Sequence, residues 1–186
     1  MTAPPPADAD RDFWRQALEL ISRDQPLADG LWQMAQLLSQ HLAADSCDVF
    51  LLDHGTEELV IQEPLSDDAR AARLRVGDGL TGLAAFEQRT IHVPRMYRDP
   101  RSVSLGDDHA FRSILAVPIV EDDELLGVFN LQTVKERHFS DPEIRFVEHI
   151  ARSMLALYVR TARTREDLQR RNSQLQALNE IGQAMN

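Results

Sequence analysis

The chain has 186 residues, 43% hydrophobic and 27% charged, with a formal net charge of -10 and a single cysteine, Cys47. These values fit one soluble globular domain with some helical extension. They exclude an intrachain disulfide framework and CxxC redox chemistry, and an acidic surface repels phosphate backbones, which argues against nucleic-acid binding. No apolar run approaches the ~20 residues that span a membrane. The Pro- and Asp-rich start, Met1 to Asp10, lacks a basic segment followed by an apolar one, so no secretory signal is read and a cytoplasmic protein is expected.

Residues 1–9 read as a disordered leader. From Asp10, the spacing of Phe13, Trp14, Ala17, Leu18, Leu20 and Ile21 predicts an amphipathic helix over 10–23, ended by Pro26. A second helix carries Leu27, Leu31, Met34, Leu38 and Leu42 on one stripe and ends near Ala44. CDVFLLD (Cys47 to Asp53) and ELVIQ (Glu58 to Gln62) predict a strand hairpin. Asp67 to Arg73 is expected to form a helical turn, and RVGDG from Arg75 a turn leading into a short helix, Leu80 to Phe86. Ile91 to Val93 is a short strand stopped by Pro94, and 95–110 an irregular polar loop.

SILAVPIV (Ser113 to Val120) is a strand in which Pro118 requires an edge or a bulge. An acidic turn, Glu121 to Glu124, leads to the last strand, LLGVFNLQT (Leu125 to Thr133). Ser140-Asp141-Pro142-Glu143 has the pattern of a capping box, with Phe139 and Ile144 at the positions of a hydrophobic staple. No Gly or Pro occurs between Pro142 and Gly182, which predicts a helix roughly 60 Å long at about 1.5 Å per residue. Phe146, Val147, Ile150, Met154, Leu157 and Tyr158 are expected to cover the sheet. Farther on, Met154, Thr161, Leu168, Leu175 and Gly182 share one heptad position, and Leu157, Thr164, Arg171, Leu178 and Met185 the other, the pattern of a weak coiled coil.

Two helices, a hairpin, GDGLTGLAA, FRSILAVPI, LLGVFNLQT and FSDPEI follow one another in the order of the GAF family. Residues 27–160 resemble one complete GAF domain. The resemblance implies an α+β, PAS/profilin-like fold: a central antiparallel sheet, helices from both termini on one face, and a small-molecule pocket under short helices and loops on the other. It also implies a regulatory sensor of bacterial signal transduction, upstream of an output such as a histidine kinase or diguanylate cyclase. The ending, LNEIGQAMN, resembles the helical connector that follows such a domain in sensor kinases. Residues 161–186 are therefore read as a coiled-coil connector to a following module, and a homodimer through helices 10–23 and 143–180 is expected.

In cyclic-nucleotide-binding GAF domains the ligand contacts resemble positions matching Asp48, Phe50, Gln62, Leu80, Thr81, Tyr97, Ser113 and Asn130, and Phe111 completes the candidate set. Thr81, Ser113 and Asn130 offer donors and acceptors, Leu80 and Thr81 begin a helix whose N-terminus attracts anions, and Tyr97 is placed to act as a lid. Asp48 needs a partner such as Arg112, because an unpaired buried charge is unfavourable. Strand alternation sets Cys47, Val49 and Leu51 on one face and Asp48, Phe50 and Leu52 on the other. Phe50 and Ser113 are expected on the face away from the terminal helices.

Three readings of function stay open: a small-molecule sensor, a protein-interaction scaffold without ligand in which Phe50, Leu52, Phe111, Ile114 and Phe129 fill the cavity, and a cyclic-nucleotide-binding domain. The last is weakened because Val134 stands where the signature Asn of that group is expected, although Lys135, Asp141 and Glu143 are present. Trp14 and Trp32 would anchor a partner helix in the scaffold reading. The methionine-sulfoxide reductase branch needs several cysteines, and a bilin needs one near 95–112, so both readings fall. Haem ligation through His109 is disfavoured by Asp107-Asp108 beside it, no histidine has a partner at metal-ligand spacing, and no cofactor is expected. Gly77-Asp78-Gly79 lacks a phosphate-loop pattern, and Asp67-Asp68, Asp107-Asp108 and Asp122-Asp123 fall in turn-like stretches, so no catalysis is assigned to these residues.

Overall fold

SILAVPIVE and ELLGVFNLQT are apolar at consecutive positions, not alternate ones, so each must be covered on both faces. They form β5 (Ser113–Glu121) and β6 (Glu124–Thr133), the two best-buried strands of a six-stranded sheet. The computed structural model describes residues 7–62, 73–102 and 111–184. Its other strands are β1 (Ser46–Asp53), β2 (Glu58–Ile61), β3 (Arg73–Arg75) and β4 (Ile91–Val93). The order is β3-β2-β1-β6-β5-β4 and every pairing is antiparallel. β5 and β6 are joined through Asp122 and Asp123, both at positive φ (50° and 64°), the conformation a two-residue hairpin turn requires.

Pro118 sits in this sheet with a strand partner on one side only. β4 pairs only with Ile114 to Ala116, so β5 is a local edge at Pro118, and the register slips just beyond it, at Ile119/Val120. Gly127 answers a second constraint: a Cβ there would overlap the Phe50 carbonyl of β1.

Four helices cover one face: α1 (Ala7–Ile21), α2 (Leu27–His41), α4 (Asp141–Ile150) and α5 (Ala156–Ala184). They bury Cys47, Val49 and Leu51 of β1, Leu115, Val117 and Ile119 of β5, and Phe129 and Leu131 of β6. At roughly 1.5–3 kcal/mol for each large apolar side chain removed from water, this layer is the main source of stability. α1 begins at Ala7, inside the expected leader, and its attachment is aromatic. The Phe13 ring lies 5.1 Å from that of Phe146 and 5.0 Å from that of His41, and His41 Nε2 meets Asp10 Oδ1 at 3.0 Å. On the opposite face α3 (Gly79–Glu87) lies across β5 and β6.

Three expectations need correction. Arg73, the end of the expected helical turn, opens strand β3, where Arg73 Nη1 meets Glu58 Oε2 at 3.1 Å; residues 67–72 lie outside the described residues. The polar loop after Pro94 contains a 3₁₀ turn, Met96–Arg98. The long C-terminal helix is not uniformly α: Ala151–Leu155 form a π-helical turn between α4 and α5. One extra residue in that turn rotates everything after it by about 100° relative to the α-helical stripe. Leu157 is thereby swung out, 57% exposed, while Leu155, Ala156 and Val159 are fully buried.

α2 and α5 meet where Gly30 faces Tyr158, since a Cβ on Gly30 would overlap the Tyr158 hydroxyl. Gly30→Ala should therefore lower the unfolding free energy measured in urea by about 1–3 kcal/mol, and Tyr158→Phe in the same chain should restore part of that loss.

Candidate functional site

The α3 face of the sheet carries a mostly apolar layer: Phe50, Leu59, Leu74, Leu80, Ala84, Ile114, Ala116 and Val128 among others. Polar groups enter this layer at one end. Asn130 on β6 lies between Asp48 of β1 and Ala116 of β5 in register. It is 3% exposed, and its Nδ2 donates to Thr81 Oγ1 of α3 at 2.7 Å. Its Oδ1 is buried and has no hydrogen-bond partner among the described residues. Asp48, half-buried, accepts from Ser46 Oγ at 3.3 Å.

Asp48, Phe50, Leu80, Thr81 and Asn130, all expected at a ligand site, thus come together under α3. The rest do not. Ser113 pairs with Thr133 in register and shares the alternation of Leu115 and Val117, so it faces the helix-covered side, contrary to expectation. There it is fully buried and hydrogen-bonded to the Thr133 hydroxyl. Gln62 continues the Val60 side of β2, opposite Leu51 of the helix-side core. It donates to the Val60 carbonyl at 3.1 Å and lines a hollow of about 170 Å³ between α2 and the sheet, with Trp32, Ser39 and Cys47. Both shifts follow from strand parity, since one residue of offset exchanges the faces. Phe111 is half-buried immediately ahead of β5, and His109 lies outside the described residues. Of the side chains proposed to fill the cavity, Phe50 and Ile114 do lie in the α3 layer, whereas Phe129 is in the helix-side core.

Tyr97 is not a lid over Asn130. It stands on the 3₁₀ turn, 53% exposed, and donates to Glu136 Oε1 at 2.7 Å. Arg95 Nε donates to the other oxygen of the same carboxylate at 3.0 Å. Arg98 and Arg112 lie 5.5 and 5.7 Å from the Tyr97 ring centre. Arg95, Arg98 and Glu136 border a cleft of about 540 Å³, lined also by Val93, Pro94 and Arg137.

Behind the cleft, residues 134–139 are clamped to the domain by contacts the sequence pattern did not expose. Arg137 Nη1 donates to the Leu42 and Ala43 carbonyls at 2.5 and 2.9 Å, and Nη2 donates to Glu143 Oε1 at 2.7 Å. Glu143 Oε2 accepts from the Ser140 backbone at 2.8 Å, the helix-capping bond expected from SDPE. Burial pushes the Glu143 carboxyl up, but the Ser140 bonds and the Arg137 charge outweigh it, and the group is held below its usual range. His92 Nε2 accepts from the Phe139 N–H at 3.1 Å, and the His92 and His138 rings lie 4.7 Å apart. The signal for this clamp was Arg137 six residues before an N-terminal Glu, but nothing local distinguishes it from a surface pair.

The fold and this layout define a regulatory α+β domain, and the chain belongs to the GAF family: the model of the GAF domain matches residues 29–155. Among solved structures, it is similar to the GAF domain of a phosphoenolpyruvate-protein phosphotransferase (ptsP) from Coxiella burnetii, at 26% identity and a TM-score of 0.77 over 88% of this chain and 99% of that one. The GAF domain of the Acinetobacter phosphoenolpyruvate-protein phosphotransferase is similar at 19% identity and a TM-score of 0.74, over 86% and 97% of the two chains. So is the free methionine-R-sulfoxide reductase from Neisseria meningitidis in complex with its substrate, at 20% and 0.71, over 88% and 97%. No curated protein matches the sequence. No helix among the described residues is long and apolar enough to cross a membrane.

Burial, then the neighbouring His138, lowers the His92 pKa from 6.5, against opposing pulls from the Arg137 backbone and Glu143. The unfolded chain then takes up a proton that the folded chain resists. The contribution is full above about pH 6.5 and is lost as pH falls through the lower folded value. Urea midpoints should therefore fall between pH 7.5 and 5.5, and His92→Phe should flatten that dependence.

Proposed function

We propose that this chain is a non-catalytic sensor and dimerisation module, which binds a small polar molecule at Asn130 and Thr81 and passes the change to its terminal helices. The observation that carries the reading is the buried Asn130 Oδ1 beside the first turn of α3, an acceptor without a donor among the described residues. An unsatisfied buried acceptor is unfavourable by about 1–3 kcal/mol, and a ligand donor would relieve it. Phe50 and Leu80 supply the apolar wall such a ligand needs. The layer is packed as it stands, so binding requires α3 to move, and that movement is the proposed signal.

Cys47 supports the non-catalytic reading. It is the only cysteine of the chain and is buried on the helix-covered side, where burial, then the neighbouring Asp48, pushes its thiol up. A thiol so placed is a poor nucleophile and has no partner for a disulfide.

The output path proposed is α5, 29 residues or about 43 Å at ~1.5 Å per residue. Arg160 with Glu121, and Arg163 with the Leu52 carbonyl, tie its first turns to the sheet. Leu168 and Leu175, one heptad apart, are 56% and 64% exposed. A parallel homodimer through α1 and α5 would bury them, with 161–186 acting as the connector to an output of the histidine kinase or diguanylate cyclase type.

The test pairs two variants. Asn130→Leu with Thr81→Val removes both polar partners, so the free protein should be as stable or more stable, while thermal shifts given by hits from a metabolite screen on the wild type should vanish. Hits that shift both proteins equally would overturn the site. In sedimentation, Leu168→Ser with Leu175→Ser should convert dimer to monomer, and a wild type that sediments as a monomer would remove the dimer from the mechanism.

A further inference from the structure

We propose that the cleft between β4 and residues 134–138 is a second binding site, an oxyanion receptor for a small, multiply charged phosphoryl or carboxylate ligand, in which Glu136 holds the anion's place. It is separate from the Asn130 site and does not depend on it.

The argument rests on an imbalance of charge within an acidic chain. Arg95, Arg98 and Arg112 gather around Tyr97, yet among the described residues only Arg95 has an ion pair, with Glu136. The other carboxylate of the cleft, Asp99, is already taken: Arg101 Nε and Nη2 donate to its two oxygens at 2.8 and 2.6 Å. Among the described residues Arg98 and Arg112 have no ion pair of their own, in a protein whose net charge is -10. Guanidinium groups present fixed forks of donors that match phosphate and carboxylate oxygens, and they do so better than a lysine would.

Glu136 shows how an anion is received. One oxygen takes the Tyr97 hydroxyl and the other takes Arg95 Nε. Its carboxyl is held below the usual range, by the Tyr97 bond first and then by Arg95 and the charge of Arg98, against desolvation. The side chain is 44% exposed, so it can leave this position without opening the core. Arg137, which also lines the cleft, has a buried Nε with no acceptor among the described residues. At about 540 Å³, with Val93, Pro94 and Pro100 as apolar walls, the cleft has room for more than a bare ion.

This picture has a sign that a general basic surface lacks: removing an acidic residue should strengthen anion binding, because Glu136 competes with the ligand. The experiment is calorimetric titration of the full chain with sodium pyrophosphate and, separately, citrate, at ionic strength fixed with sodium chloride. Wild type should bind at least one of them with a stoichiometry of one. Glu136→Gln should bind about tenfold more tightly, as expected for losing one like charge at contact distance. Arg95→Gln with Arg98→Gln should abolish binding, whereas Asn130→Leu should leave it unchanged. Binding of pyrophosphate alone identifies a phosphoryl ligand, of citrate alone a polycarboxylate, and of both the shared oxyanion chemistry. The proposal is overturned if neither anion binds wild type or Glu136→Gln, if Glu136→Gln weakens binding, or if binding survives the double arginine variant. A gain in Glu136→Gln cannot come from misfolding, which keeps the test decisive even if the double variant is unstable.

Discussion

Burial of β5 and β6 on both faces is the constraint from which the rest of this molecule follows. Two adjacent strands with unbroken apolar sequences cannot leave either surface to water. The terminal helices close one side and α3 the other, and β1 and β4 extend the pair outward. The chain's two ends are brought together because both must serve the same face. Phe13 of α1 meets Phe146 of α4 for this reason, although the two are far apart in sequence.

Against this apolar background, a polar group in the interior is conspicuous. Asn130 interrupts the run of β6 and is only half satisfied, by Thr81. A side chain chosen for stability alone would be aliphatic at that position, as its neighbours Val128 and Ala116 are. The polar pair is a local departure from good packing, and such departures tend to mark function. The helix-side layer has its own polar pair, Ser113 with Thr133, but there the Lys135 carbonyl accepts from Thr133 Oγ1 at 2.7 Å, and the pair reads as structural.

Residues 134–139 connect the last strand to the helical layer, and three separate contacts fix them: Arg137 to Glu143 and to the end of α2, His92 to the Phe139 amide, and the Val134 amide to Asp45 at 2.8 Å. This rigidity places Glu136 and Arg95 reproducibly at the mouth of the cleft.

The sequence by itself determined the main helices and strands, though not β3, the 3₁₀ turn or the π turn, because apolar periodicity, Pro26, the Asp122-Asp123 turn and the SDPE cap are local signals with local causes. It also set Asp48, Phe50 and Leu52 on one face of β1 and Cys47, Val49 and Leu51 on the other, since alternation within one strand needs no partner. Tertiary structure decided what alternation alone could not. Which face the terminal helices cover, and so the side that Ser113 and Gln62 take, is set only when the sheet packs. Leu157 was rotated outward by a π turn that no Gly or Pro announces. Tyr97 was drawn to Glu136 and away from Asn130, and the Arg137–Glu143 clamp was assembled by the return of the chain from β6 into α4. These are contacts between residues whose separation in space is set only when the sheet closes, so no window of sequence contains their cause.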